Sequence, residues 1–252
     1  MPEAIQKPNG ADTRGLIAKA LGFIFPDVCQ LCESAAATSA EGYLCAACLR
    51  EILPVTAPFC ERCGLPFEGA ITTTFTCANC AEMELHFCSA RSAVLARGTA
   101  LELIHRFKYQ GALWFEPLLG RLLAEAAAPV LAREKWDMIV PVPLHSTKLR
   151  EREYNQAELL ARHLGRASGI PVRTDLLRRV TPTRTQTLLT RKQRAENMRN
   201  AFELRNAPIL RGARVVVVDD VFTTGATTNA CALPLLKSGA TKVCVWTLAR
   251  GL

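Results

Sequence analysis

Residues 215–228 read Val-Val-Val-Val-Asp-Asp-Val-Phe-Thr-Thr-Gly-Ala-Thr-Thr. Four consecutive β-branched residues favour a strand covered on both faces, as in a parallel sheet. Two acids stand at the end of that run, and a hydroxyl-rich turn leads into a segment with helical character over 226–238. Strand, acids, small-residue loop and helix in this order place the acids and the loop at the carboxyl end of a strand, where open α/β sheets bind ligands.

The residue types define what such a place can hold. Side chains alternate along a strand, so Asp219 and Asp220 diverge unless the strand end bends. Neighbouring carboxylates accept hydrogen bonds from a sugar diol or hold a hydrated Mg²⁺, which keeps most of its waters. Thr223 to Thr228 offers hydroxyls and backbone N–H groups without bulky side chains, and Gly225 permits a positive φ. N–H groups converging at a helix N-terminus make an anion site of the size of one phosphate. An ordinary strand-turn-helix with a threonine cap is the plainer alternative. Pro234 falls within the expected helix; a mid-helix proline costs about 3 kcal/mol, so a kink or early end is expected there.

The segment resembles the phosphoribosyl pyrophosphate (PRPP) motif of type I phosphoribosyltransferases. That resemblance implies that Asp219 and Asp220 hold the ribose hydroxyls and that Thr223, Thr224, Gly225, Ala226 and Thr227 hold the 5′-phosphate. It implies a second loop, after the strand expected at 137–142, that holds pyrophosphate through backbone N–H groups. Pro143 has no N–H, which leaves Leu144, His145 and Ser146. The basic stretch 181–197 resembles the flexible loop that closes over PRPP, with Arg184, Gln186, Arg191, Arg194 and Asn197 as its ligands.

Eight of the eleven cysteines form four Cys-x-x-Cys knuckles: Cys29/Cys32, Cys45/Cys48, Cys60/Cys63 and Cys77/Cys80. The intervals between knuckles are 12, 11 and 13 residues. Each knuckle supplies two thiolates, so four make two closed Cys₄ zinc sites. Sequential pairing, first with second and third with fourth, is expected. A disulfide framework is the alternative, and the absence of a recognisable signal peptide speaks against it. A ligand set of cysteines alone points to structural rather than catalytic zinc. Segment 26–90 is too poor in aliphatic residues to hold itself together otherwise. Cys88, Cys231 and Cys244 are expected as packing residues or spare thiols.

Charge divides the chain. Residues 26–90 carry eight acids against Arg50 and Arg62, whereas 146–214 carry sixteen Lys/Arg against six Asp/Glu, a local +10 in a chain of +8. An anionic partner is expected at the basic part, and pyrophosphate and single-stranded DNA both qualify. Lys108, Tyr109, Lys148, Arg150 and Arg152 are the nucleic-acid candidates. Phe107, Tyr109, Trp114 and Tyr154 are candidate stacking platforms. No apolar run reaches the length of a membrane span. Leu16 to Phe25, interrupted by Lys19, reads as an amphipathic helix docked on the protein.

Beyond residue 15 the chain resembles the competence protein F family. The matching stretches are Leu16–Phe25 running into Cys29, the four knuckles, Leu103–Gly111, Val140–His145, Arg150–Gln156, Thr185–Leu188 and the Asp-Asp motif. The resemblance implies an α/β fold, a type I phosphoribosyltransferase-like parallel sheet preceded by a small Cys-rich zinc ribbon module. The expected organisation is a disordered start at 1–15, an amphipathic helix at 16–25, a double zinc ribbon at 26–90 and the transferase-like domain at 91–252. The implied function is cytoplasmic handling of single-stranded DNA during uptake or use of DNA, with a PRPP site retained and Zn²⁺ and Mg²⁺ as cofactors. A further reading is a structural adaptor that needs neither ligand, its zinc ribbon docking a DNA-uptake helicase or channel component. The alternative is an active Mg²⁺-dependent phosphoribosyltransferase, displacing pyrophosphate at the ribose C1 in favour of an acceptor that the sequence does not name. Residues 1 and 2 are Met and Pro, so the N-terminal cysteine nucleophile of glutamine-dependent transferases is not expected.

Overall fold

The computed structural model describes residues 27–69, 73–181, 200–206 and 209–251. The helix expected at 16–25, the start at 1–15 and the loop ligands Arg184, Gln186, Arg191, Arg194 and Asn197 lie outside the described residues.

The sheet follows from the apolar runs. Four strands, β1 (Ser89–Leu95), β2 (Met138–Pro141), β5 (Arg214–Phe222) and β6 (Lys242–Arg250), pair in the order β1-β6-β5-β2, all parallel. Val215 to Val218 of β5 are wholly buried, as a central strand with both faces covered requires. A separate antiparallel pair joins β3 (Leu177–Arg179) and β4 (Phe202–Leu204).

Helices close both faces. On one side Val216 and Val218 pack with helices α3 (Gly98–Tyr109), α4 (Glu116–Leu131) and α6 (Gln156–Ser168). In α3 the apolar residues Ala100, Leu103, Ile104 and Phe107 recur at helical spacing and are all buried. On the other side Val215 and Val217 pack with α7 (Ala226–Lys237) and the β3–β4 pair. The expected interruption at Pro234 does not shorten α7, which runs on to Lys237. Cys231, Ala232 and Leu235 are wholly buried around the proline, and their packing offsets the lost hydrogen bond.

The cysteine-rich module caps the β1 edge of the sheet. Its residues 53–55 run antiparallel to β1: Val55 N–H donates to Ala93 O at 2.9 Å and Leu95 N–H to Leu53 O at 2.8 Å. An exposed edge strand is an aggregation hazard, and this segment covers it. The module's first half, with Cys29, Leu44 and Cys48, joins the α4 side of the core. Its second half, with Cys60, Cys77 and Phe87, joins the α7 side. The module therefore straddles the sheet and is bonded into both of its layers. Two short helices, α1 (Ala46–Arg50) and α2 (Ala78–Ala81), each begin directly after a knuckle cysteine.

Candidate functional site

The cysteines gather as two separate groups, Cys29/Cys32/Cys45/Cys48 and Cys60/Cys63/Cys77/Cys80, each with all Sγ atoms within 4.8 Å of one another. Sulfur separations of 3.8 Å (Cys29–Cys48, Cys32–Cys45) and 3.7 Å (Cys63–Cys77) match a tetrahedron with zinc–sulfur bonds of about 2.3 Å, whose sulfurs stand about 3.8 Å apart. A disulfide needs about 2.05 Å, so this geometry selects metal over disulfide, and all eleven cysteines are free. Both groups fit structural zinc. Cys231 and Cys244 are buried thiols, and burial pushes both well above the usual range; Cys88 is exposed.

The second group reaches the carboxyl end of β5 through one side chain. Arg250, only 5% exposed, donates to the carbonyls of Phe222 and Thr223, each at 3.0 Å. Its other nitrogen approaches Cys63 Sγ at 3.8 Å, and its guanidinium lies over the Phe222 ring. Asn229 of α7 donates to Glu84 O at 2.9 Å and accepts from the His86 N–H. The zinc module and the loop after β5 are thus one hydrogen-bonded unit.

That loop is built as its composition requires. Gly225 caps α7 with a φ of 81°, and a Cβ there would lie 2.6 Å from the Phe222 ring. Thr224 Oγ1 accepts from Ala226 N–H, and Thr228 Oγ1 donates to Gly225 O. Side chains of Thr223, Thr224, Ala226 and Thr227 line a cleft of about 620 Å³, and Gly225 lines a small recess beside it.

Asp219 and Asp220 line the same cleft, together with Lys108, Tyr109, Leu144, Lys148, Arg152 and Arg179. Lys108 Nζ lies 2.8 Å from Asp220 Oδ1, in a pair whose side chains are 19% and 11% exposed. Burial works against the ammonium, but Asp220 and then Asp219 hold it above its ordinary range. Burial, then the neighbouring charge of Asp220, pushes Asp219 up to about 7. Asp219 Oδ1 accepts the N–H of Asp220 at 2.9 Å. Asp220 is thus committed to a cation, while Asp219 is poised to change charge near neutrality.

The wall opposite comes from residues 142–157. Asn155 caps α6 by accepting from Ala157 N–H and donates to Val142 O at 3.0 Å, which fixes the loop after β2. Leu144 reaches the cleft. His145 and Ser146 are not among its lining residues: His145 instead caps α5 (Ser146–Arg152), accepting from Thr147 N–H. Arg150 also lies away from the lining, whereas Lys148 and Arg152 reach it.

Of the four aromatic candidates, Phe107 is wholly buried in the α3 side of the core and cannot stack on a base. Tyr154 is half-buried, and its hydroxyl donates to Phe107 O. Tyr109 and Trp114 are exposed, at 62% and 45%. Arg152 lies 4.8 Å from the Tyr109 ring centroid and donates to Gln156 Oε1 at 3.2 Å. The pairing of Lys108 with Asp220 and the role of Arg250 were not visible in the sequence, because neither partner lies near in the chain. Among the described residues no helix is long and apolar enough to cross a membrane.

Comparison with known proteins gives three kinds of likeness. Residues 20–81 match the double zinc ribbon domain family. The chain is 35% identical to competence protein F of Haemophilus influenzae, over 84% of this chain and 92% of that one. It is 31% identical to the DNA utilization protein YhgH of Escherichia coli K12, over 90% of this chain and 98% of that one. It is 27% identical to the competence protein ComFC of Bacillus subtilis, over 82% and 84%. Among solved structures, adenine phosphoribosyltransferase from Saccharomyces cerevisiae is similar at 19% identity and a TM-score of 0.37, over 56% of this chain and 73% of that one.

Proposed function

We propose, from the chain's membership of the competence protein F family of competence and DNA-utilisation proteins, that it binds a phosphoribosyl ligand such as PRPP in the Asp219–Asp220 cleft and handles single-stranded DNA on the basic rim of that cleft. The observation that carries this reading is the convergence of two carboxylates and a threonine loop at the end of one parallel strand. The carboxylates accept a ribose diol. The loop's N–H groups and the start of α7 receive the 5′-phosphate. Lys148 and Arg152 at the rim face the pyrophosphate end.

Magnesium enters this reading with the ligand. Asp220 is already paired with Lys108, so the residues present do not make a dedicated magnesium cage. Mg²⁺ is commonly held by one or two carboxylates plus substrate phosphates, and here the pyrophosphate would supply most of its shell. The two zincs are structural, and reduced thiolates suit a reducing compartment such as the cytoplasm.

The exposed Tyr109, backed by Arg152, together with Trp114, favours the DNA part of the reading. An aromatic face beside a cationic groove binds single strands without reading sequence. An active transferase remains the alternative, and the cleft walls name no acceptor. The experiment is a thermal-shift comparison of PRPP, ribose 5-phosphate, inorganic pyrophosphate and glucose 6-phosphate. PRPP is expected to raise Tm most and glucose 6-phosphate not at all, since its pyranose lacks the furanose diol at the right reach from phosphate. Equal shifts for all four would mean a general anion site and overturn the proposal.

A further inference from the structure

Two adjacent carboxylates in a half-buried cleft repel one another and require positive charge nearby. Many such pairs recruit a divalent cation. In this chain the protein supplies the charge itself. Lys108 Nζ lies 2.8 Å from Asp220 Oδ1, and the pair is mostly withdrawn from water. Arg179 lines the same cleft, and its charge bears on Asp219. With Asp219 ionised, the two acids and two bases sum to zero. One oxygen of each carboxylate already has a partner: Lys108 on Asp220, and the Asp220 N–H on Asp219.

We propose that Lys108 is the resident cation of the acid pair and stands in for a divalent ion there, so that the ribose 5-phosphate end of a ligand binds this cleft without metal. The inference rests on the phosphoribosyl reading of the cleft and assigns Lys108 as a positioning residue within it. The remaining carboxylate oxygens match the two hydroxyl donors of a diol. An ammonium has three donors, and one is spent on Asp220, so the other N–H groups of Lys108 can meet ligand oxygens. The side chain is held in place by its helix, since Phe107, next to it on α3, is wholly buried. A group of two acids balanced by two bases, one acid already ion-paired, has little pull on a free divalent ion. Removing the ammonium leaves Asp220 without its partner in a mostly buried position and creates that pull.

The test uses ribose 5-phosphate, which carries the diol and the phosphate but no pyrophosphate to bring a metal with it. The full-length zinc-loaded protein is titrated in resin-treated buffer and again with millimolar Mg²⁺; a soluble chelator is avoided because it would strip the zinc. The wild type is expected to bind equally, within about twofold, in both buffers. Lys108→Met is expected to lose about tenfold or more in affinity without Mg²⁺ and to recover most of it with Mg²⁺, whereas Lys108→Arg stays metal-independent. Electron paramagnetic resonance of Mn²⁺ gives a second readout without ligand: no bound Mn²⁺ in the wild type, and a bound signal in Lys108→Met. Mg²⁺-dependent binding by the wild type, or a Lys108→Met protein indistinguishable from it, overturns this inference and leaves the phosphoribosyl site standing. Absence of ribose 5-phosphate binding in every protein and buffer overturns both.

Discussion

Neutralising Asp219 should stabilise the ligand-free protein while weakening its ligand site. The carboxyl is half-buried, next to a second carboxylate, and is pushed up to about 7. An unfolded chain returns it to about 3.9. Between those values the folded state holds a proton that the unfolded state has lost, so stability is full at and below about pH 4 and falls as pH rises towards 7. Three pH units at about 1.4 kcal/mol each set a ceiling of roughly 4 kcal/mol. Asp219→Asn removes this dependence and keeps an oxygen to accept the Asp220 N–H. Urea unfolding of wild type and variant at pH 5.5 and pH 8 isolates the effect, because zinc-linked changes act on both proteins alike. The variant should be the more stable at pH 8, and its advantage should grow by about 2 kcal/mol between the two values. A difference that does not change with pH, or a variant less stable at pH 8, would refute the burial argument. The same protonation weakens ligand binding below pH 7, since a protonated carboxyl has lost acceptor capacity for a diol.

Other outcomes follow from the same structure. Gly225→Ala forces an alanine into a left-handed conformation against the Phe222 ring, so unfolding should cost about 2–4 kcal/mol less by denaturant titration. Elemental analysis should find two zinc ions per chain, and Cys63→Ser should retain one firmly held ion from the Cys29 group. Single-stranded DNA affinity, followed by fluorescence anisotropy, should fall steeply with salt. The double variant Lys148→Ala/Arg152→Ala should flatten that slope by about two.

The parts of the fold carried by local pattern could be read directly from the sequence. The four-valine run became the buried β5, and Cys-x-x-Cys spacing gave two four-cysteine groups in sequential pairs. The parallel sheet and the zinc ribbon were both legible for that reason. What escaped was long-range. Phe107, Lys108 and Tyr109 stand together in the sequence as nucleic-acid candidates, yet helical geometry turns Phe107 into the core and Lys108 towards Asp220. Of these three only Tyr109 is exposed, backed by Arg152. In the loop after β2 only Leu144 of the three expected residues lines the cleft, because the following helix begins so early that His145 serves as its cap. Arg250 gave no signal at the end of a mostly apolar strand, and it joins the second cysteine group to the phosphate-type loop. Pro234 marked a helix break that tertiary packing overrides.

The central claim is that Asp219 and Asp220 form the floor of a phosphoribosyl site. Calorimetric titration of PRPP with Mg²⁺ into the wild type and into the double variant Asp219→Asn/Asp220→Asn tests it most directly. The site predicts micromolar binding by the wild type. It predicts a loss of about a hundredfold or more in the double variant, the scale of two charge-assisted hydrogen bonds. Equal heats from both proteins, or none from the wild type, would contradict it.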